Sequence, residues 1–257
     1  TMDRDRLRLY GELITANMHT IEKGADKVAL ANYYEDGAPE IVIKLDPTLS
    51  ANENAQKYFK KYNKQKRTFE AATIQLEQAE NDLFYLDSIM ASLEVSLSPQ
   101  DITDIRNELS EQGFIKKITA TKKNKAAKPS TTMRFVSTDG FEILVGKNNK
   151  QNDELTLTSA PGDLWLHTKN IPGSHVIIRS NGKEAPESTI EDAANLAAHF
   201  SKGKNSSMVP VDYTIKKNVK KPNGAKPGMV IYDVYKTAYI TPDMEILERI
   251  NKHNEVL

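Results

Sequence analysis

The chain contains no cysteine, which excludes disulfide stapling, a thiolate metal site and a cysteine nucleophile. It has a single tryptophan. No apolar run approaches the ~20 residues of a membrane-spanning helix, and no charged-then-apolar signal peptide opens it. Both standard glycine-rich phosphate loops are missing, as is a nucleophile elbow. The cytoplasm is therefore the expected compartment, and enzyme activity is not expected. What is present suffices for two domains with real cores: 257 residues, 39% of them hydrophobic.

The net charge of zero hides a segregation. Residues 1–120 carry 15 Lys+Arg against 20 Asp+Glu, and residues 121–257 carry 20 against 15. Seven lysines against Asp212 alone fall within residues 202–226. One half is thereby marked to meet a polyanion. Thr1 stands before Met2, and a helical apolar spacing (Leu7, Tyr10, Ile14, Met18, Ile21) begins at once. That start is expected of a fragment cut within a longer helix.

The longest periodic signal runs in steps of three and four: Ala55, Tyr58, Tyr62, Gln65, Phe69, Ala72, Leu76, Ala79, Leu83, Leu86, Met90, Leu93 and Leu97. Such a heptad seam predicts a long helix packed along its stripe, with a helix over about 3–22 as antiparallel partner. Between them, two β-prone runs around Asp36-Gly37 predict a hairpin at residues 27–45. Ser98-Pro99-Gln100-Asp101 is a capped helix start, ended by Gly113. Residues 116–130, with six lysines, read as a basic linker.

From Met133 the pattern changes to short strands: 133–137, 141–145, 155–158, 163–168, 174–179, 209–215, 229–232 and 237–240. Ser188 and Glu191 predict a capping box opening a helix over 189–201. The fold class is α+β. An antiparallel helical coiled coil with a β-hairpin at its tip (1–115) is followed by a mixed, mostly antiparallel sheet domain with packed helices (131–257).

Two features of the second domain are candidates for binding. Asp163-Leu164-Trp165-Leu166-His167 and Ser174-His175-Val176-Ile177-Ile178-Arg179 flank Ile171-Pro172-Gly173, where Pro-Gly predicts a type II turn. If these strands pair, alternation brings Trp165, His167, His175 and Arg179 to one surface, suited to base stacking and phosphate contact. The competing reading makes the tryptophan core and the histidines hydrogen-bonding residues. Two histidines without a third ligand are a poor metal site, so neither a metal nor a cofactor is expected. The second feature is a lysine-rich loop, Lys216, Lys217, Lys220, Lys221 and Lys226, with Lys202 and Lys204 nearby, which would offer ammonium groups to phosphates.

Phe135–Asn149, Asn152–Thr156, Asp163–His167 and Ile171–Val176 strongly resemble the RNA-binding domain of the NFACT family. Leu13–Asn17, Leu45–Pro47 and Asn54–Phe59 are similar to the family's middle coiled-coil region. The resemblance covers nearly the whole chain. It implies binding to the large ribosomal subunit and tRNA in ribosome-associated quality control, with C-terminal alanine tailing by the full-length protein. It also implies, for Gram-positive members, surface adhesion to host fibronectin and fibrinogen without a signal peptide or anchor. The resemblance leads us to expect that the family's N-terminal and helix-hairpin-helix domains lie outside this chain, so tailing by this portion alone is not expected.

Overall fold

The structure, a computed structural model, describes residues 2–116 and 130–254, without the side chains of Met2 and 251–254. The expected linker at 116–130 lies almost wholly outside the described residues. The chain forms two compact units, Thr1–Asn81 and Asp82–Leu257.

The first unit holds α1 (Met2–Ala16), the hairpin strands β1 (Lys27–Ala31) and β2 (Glu40–Lys44), and the beginning of α2 (Ala51–Glu94). Glu53 takes the Ser50 amide and hydroxyl at 2.8 and 2.7 Å, fixing the start of α2. The helices run antiparallel: Arg4 lies over Phe69, Gly11 meets Phe59, and Leu13 shares a core with Ala55. A Cβ at Gly11 would stand 2.8 Å from the Phe59 ring, so the close helix approach needs glycine there. The hairpin is antiparallel, Lys27 opposite Lys44 and Ala31 opposite Glu40, and contributes Leu30 and Ile43 to the core.

Two expectations change here. The first helix ends at Ala16, short of residue 22, because Asn17 turns its side-chain amide back onto the Leu13 carbonyl at 2.9 Å. The heptad seam is not packed throughout: Phe69 and Leu76 are exposed. At 1.5 Å per residue, a fifteen-residue partner covers about a third of a 44-residue helix.

The second unit is a six-stranded antiparallel sheet with helices on both faces. Its strands are β3 (Met133–Val136), β4 (Glu142–Val145), β5 (Leu164–Thr168), β6 (Val176–Ile178), β7 (Val209–Ile215) and, after the short pair β8 (Val219–Lys220) and β9 (Ile231–Tyr232), β10 (Lys236–Ile240). Their order is β10-β7-β5-β6-β4-β3. One face buries Ile143, Val145, Leu166, Val176, Ile178 and Val211 against α5 (Glu187–His199) and α6 (Met244–Asn254). Ala193, Ala194, Ala197 and Ala198 are fully buried there, as small residues at a close helix–sheet contact should be. The opposite face is covered in part by α4 (Asn149–Thr158), β8 and β9.

The end of α2 and α3 (Pro99–Glu111) belong to this unit. Ser98 caps α3 with the expected box: its hydroxyl accepts the Asp101 amide, and Asp101 accepts the Ser98 amide. Tyr85, Ile89 and Ile105 form the local core, whereas Leu83, Met90, Leu93 and Leu97 of the expected seam are exposed. Leu86 of the stripe does pack against this core, so the packed face departs from the heptad stripe at Leu83, Met90, Leu93 and Leu97.

The segment 155–158, expected as a strand, is the last turn of α4. Asn148 caps that helix by accepting the Gln151 amide, and the helix carries Leu155 onto the sheet. Ser188 does not form a capping box. Its hydroxyl donates to Asp139 at 2.6 Å, and α5 starts at Glu187 after Pro186. No type II turn is built on Gly173: the positive φ is at Asn170. Gly173 instead bridges to Ser201, where a Cβ would stand 2.7 Å from the Ser201 Cβ. The strand expected at 229–232 shrinks to β9, and α6 was not foreseen.

Candidate nucleic-acid interface

Strands β5 and β6 pair with Trp165 opposite Ile177 and Leu166 opposite Val176. Pleating then sends Asp163, Trp165 and His167 to the same side as His175, Ile177 and Arg179. The structure does bring the four residues together. Ring centroids of Trp165, His167 and His175 lie within 5.8 Å of one another, and Arg179 Nη1 donates to Asp163 at 2.9 Å.

Two of the four are nevertheless covered, and His167 and Arg179 are half-buried. Trp165 is packed under Leu155, Val219, Val230 and Tyr232, and His175 is buried beside it. Trp165 and His175 therefore do not offer the exposed stacking surface expected of them. His175 bonds Thr156 through Nδ1 at 2.7 Å, and its amide donates to Asn152 at 3.0 Å. Burial pushes the His167 imidazole down to about 4, against the opposing pull of the Gly173 and Thr168 backbone and of Asp212. Burial, and then the neighbouring His167, hold His175 well below its ordinary value. Both rings are neutral near pH 7. Asp163 is drawn up by burial, but the Ser180 amide, Arg179 and the Ala160 amide outweigh that and keep it below the usual carboxylate range.

The lysines divide into two groups. Lys202 reaches Asp87 and Lys204 reaches Glu94, both at 2.6 Å, on the end of α2. Lys226 pairs with Asp82 and lies over the rings of Tyr85 and Phe114. Lys221 binds Asp153 at 2.7 Å and the Lys226 carbonyl at 2.9 Å. These four, two expected on a phosphate-facing loop and two near it, all make intramolecular contacts. The acidic excess of the first 120 residues supplies three of their partners, which composition alone does not locate.

Lys216, Lys217 and Lys220 have no acidic partner among the described residues, and Lys217 and Lys220 are exposed. A one-turn 3₁₀ helix at 216–218 and β8 set them between β7 and β9. Lys220 stands opposite Ile231, and the Asn218 side chain reaches the Val234 carbonyl. The free lysines are thereby contiguous with a segment that sequence reasoning passed over: Tyr232, Tyr235 and Tyr239. Its signal was the spacing of Tyr235, Thr237 and Tyr239, which puts three residues on one strand face.

Asp212 anchors that segment. It is buried and accepts the Tyr232 hydroxyl at 2.8 Å and the Thr237 hydroxyl at 2.6 Å, with Lys169 at 3.8 Å. Lys169 Nζ is 3.2 Å from the Tyr235 hydroxyl and 4.6 Å from its ring centre. That hydroxyl, ahead of the charge of Asp212, raises the Lys169 ammonium above its ordinary value.

Comparison with known proteins agrees with this architecture. Residues 1–128 match the NFACT N-terminal and middle domains, and residues 131–233 match the NFACT protein RNA binding domain. The chain is 47% identical over 248 residues to the Rqc2 homolog RqcH of Bacillus subtilis (strain 168), covering 95% of this chain and 43% of that protein. It is 43% identical over 245 residues to the Rqc2 homolog RqcH of Streptococcus suis (strain 05ZYH33), with 94% and 43% covered. The chain thus spans less than half the length of these curated relatives. Among solved structures, the C-terminal part of the fibronectin/fibrinogen-binding protein from Streptococcus suis aligns with a TM-score of 0.71 and 35% identity. That alignment covers 97% of this chain and 93% of that one. With both segments matched in order and the fold shared, the chain belongs to the NFACT family and carries its RNA-binding domain.

Proposed function

We propose that this chain is the coiled-coil and RNA-binding portion of an RqcH-type protein, acting in the cytoplasm as a binding module. Its partners are the large ribosomal subunit and tRNA during ribosome quality control, and alanine tailing belongs to the full-length protein. The observation that carries this reading is that Lys216, Lys217 and Lys220, within a segment that matches an RNA-binding domain, have no acidic partner among the described residues. Exposed ammonium groups attract phosphates irrespective of base sequence, and the attraction weakens as salt rises.

The likeness to a fibronectin/fibrinogen-binding protein favours a second reading, adhesion to those host proteins. Co-sedimentation with purified large subunits, beside binding to immobilised fibronectin, separates the two. Subunit binding that falls with salt and in Lys216/Lys217/Lys220→Ala supports the first reading. Fibronectin binding indifferent to both changes, without subunit binding at low salt, supports the second.

A further inference from the structure

The face of the sheet that carries Trp165 is covered over its middle strands and open at its β7–β10 end. Register shows which residues lie there. Thr237 is opposite Asp212 and Tyr239 opposite Pro210 on β7, while Asp212 is opposite His167 on β5. Tyr239, Thr237 and, just before the strand, Tyr235 therefore continue the face of Trp165 and His167 beyond its cover. Tyr239 is 63% exposed and Tyr235 43%. On a strand, residues four apart stand about 13 Å from each other, so each ring has room for its own planar ligand.

The rings are positioned rather than loose. Tyr235 packs edge-on against Tyr232 at 5.3 Å, and Tyr232 is itself tied to buried Asp212. The Lys169 backbone pairs with Pro210, level with Tyr239, and its ammonium reaches Tyr235. The Lys169 side chain thus runs from the level of Tyr239 across β7 to the ring of Tyr235. At the Tyr235 end, through Val234 and Ile231, the strip meets the exposed Lys217 and Lys220. Asp233 is the one exposed acid of the segment 231–240.

We propose that Tyr235 and Tyr239, with Lys169, form a base-stacking site for unpaired nucleotides, while Lys217 and Lys220 follow the phosphates. The ligand class is single-stranded or looped RNA. Rings fixed on an open sheet face with cations beside them supply what stacking needs, and a base paired inside a duplex cannot leave its stack to reach them. This proposal rests on the RNA-binding reading and names the surface that tells strand from duplex.

The test is fluorescence anisotropy of the full chain with a labelled, unstructured oligouridylate and with an RNA duplex of equal phosphate count. Tyr235→Ala and Tyr239→Ala should each weaken oligouridylate binding about five- to a hundred-fold, leave the salt slope unaltered, and spare duplex binding. Tyr235→Phe and Tyr239→Phe should bind as wild type. Lys217/Lys220→Ala should lower the salt slope on both RNAs. If the lysine variant loses affinity while both alanine variants bind the oligonucleotide as wild type does, the stacking site is wrong and RNA binding stands. If wild type binds neither RNA at low salt, both readings fall.

Discussion

Lys226 holds Asp82 with its ammonium while lying 4.9 and 4.6 Å from the ring centres of Tyr85 and Phe114. A lysine that composition assigns to an RNA-facing loop is, in space, a peg joining that loop to the end of α2. Lys226→Ala should therefore lower stability by about 1–2 kcal/mol, through lost cation–π contacts and a partly buried ion pair. Urea denaturation measures this. The salt dependence of RNA binding should be the same in wild type and variant.

Lys202 and Lys204 form more exposed pairs, and those contribute little to stability, roughly 0–1 kcal/mol. Their acidic partners do compete with phosphate. Asp87→Asn together with Glu94→Gln should leave the unfolding midpoint nearly unmoved and steepen the salt dependence of RNA binding, as two ammonium groups are released. Filter binding across a salt series checks it, and a slope equal to wild type would show that these lysines never reach RNA.

Half-buried His167 and buried His175 predict acid sensitivity. His167, near 4 in the folded protein against about 6.5 unfolded, takes up a proton on unfolding between those values, and His175 shifts in the same direction. The unfolded state then binds more protons, so stability rises with pH across that window and is complete above about 6.5. From pH 7 to pH 5 the His167 contribution should fall by about 1–2 kcal/mol. Chemical denaturation of wild type and His167→Gln at both pH values tests this, the variant losing the smaller amount.

How much of this was legible in the sequence depends on what each residue's neighbours do. The Ser98 cap, the hairpin at 27–45 and the shared face of Trp165, His167, His175 and Arg179 follow from local spacing and pleating, and all are present. Spacing does not show what covers a face. Trp165 is buried because 155–158 is helical and because β8 and β9 fold over it. Lysine clustering, likewise, does not reveal that Asp82, Asp87, Glu94 and Asp153 stand opposite. The α6 helix was readable from Ile246, Leu247 and Ile250, whose spacing is helical and which pack on the main core.

Gly173 illustrates the same point at a single atom. The Pro-Gly pair suggests a turn that needs a positive φ, whereas the glycine serves the close approach of two backbones at Ser201. Gly173→Ala should cost about 1–3 kcal/mol from overpacking against Ser201 and Thr168, measured by thermal or urea unfolding. A change to Ala at Gly224, with a positive φ and nothing within 4 Å, strains the backbone without crowding a neighbour.

The central claim is that Lys216, Lys217 and Lys220 meet RNA phosphates while Lys221 and Lys226 are held in partly buried contacts within the fold. The most direct measurement is the slope of log affinity against log salt for large ribosomal subunits, in wild type and in Lys216/Lys217/Lys220→Ala. Loss of three phosphate contacts should reduce the slope by about 2–3, with the unfolding midpoint unchanged. An unaltered slope and affinity in the folded triple variant would contradict the claim.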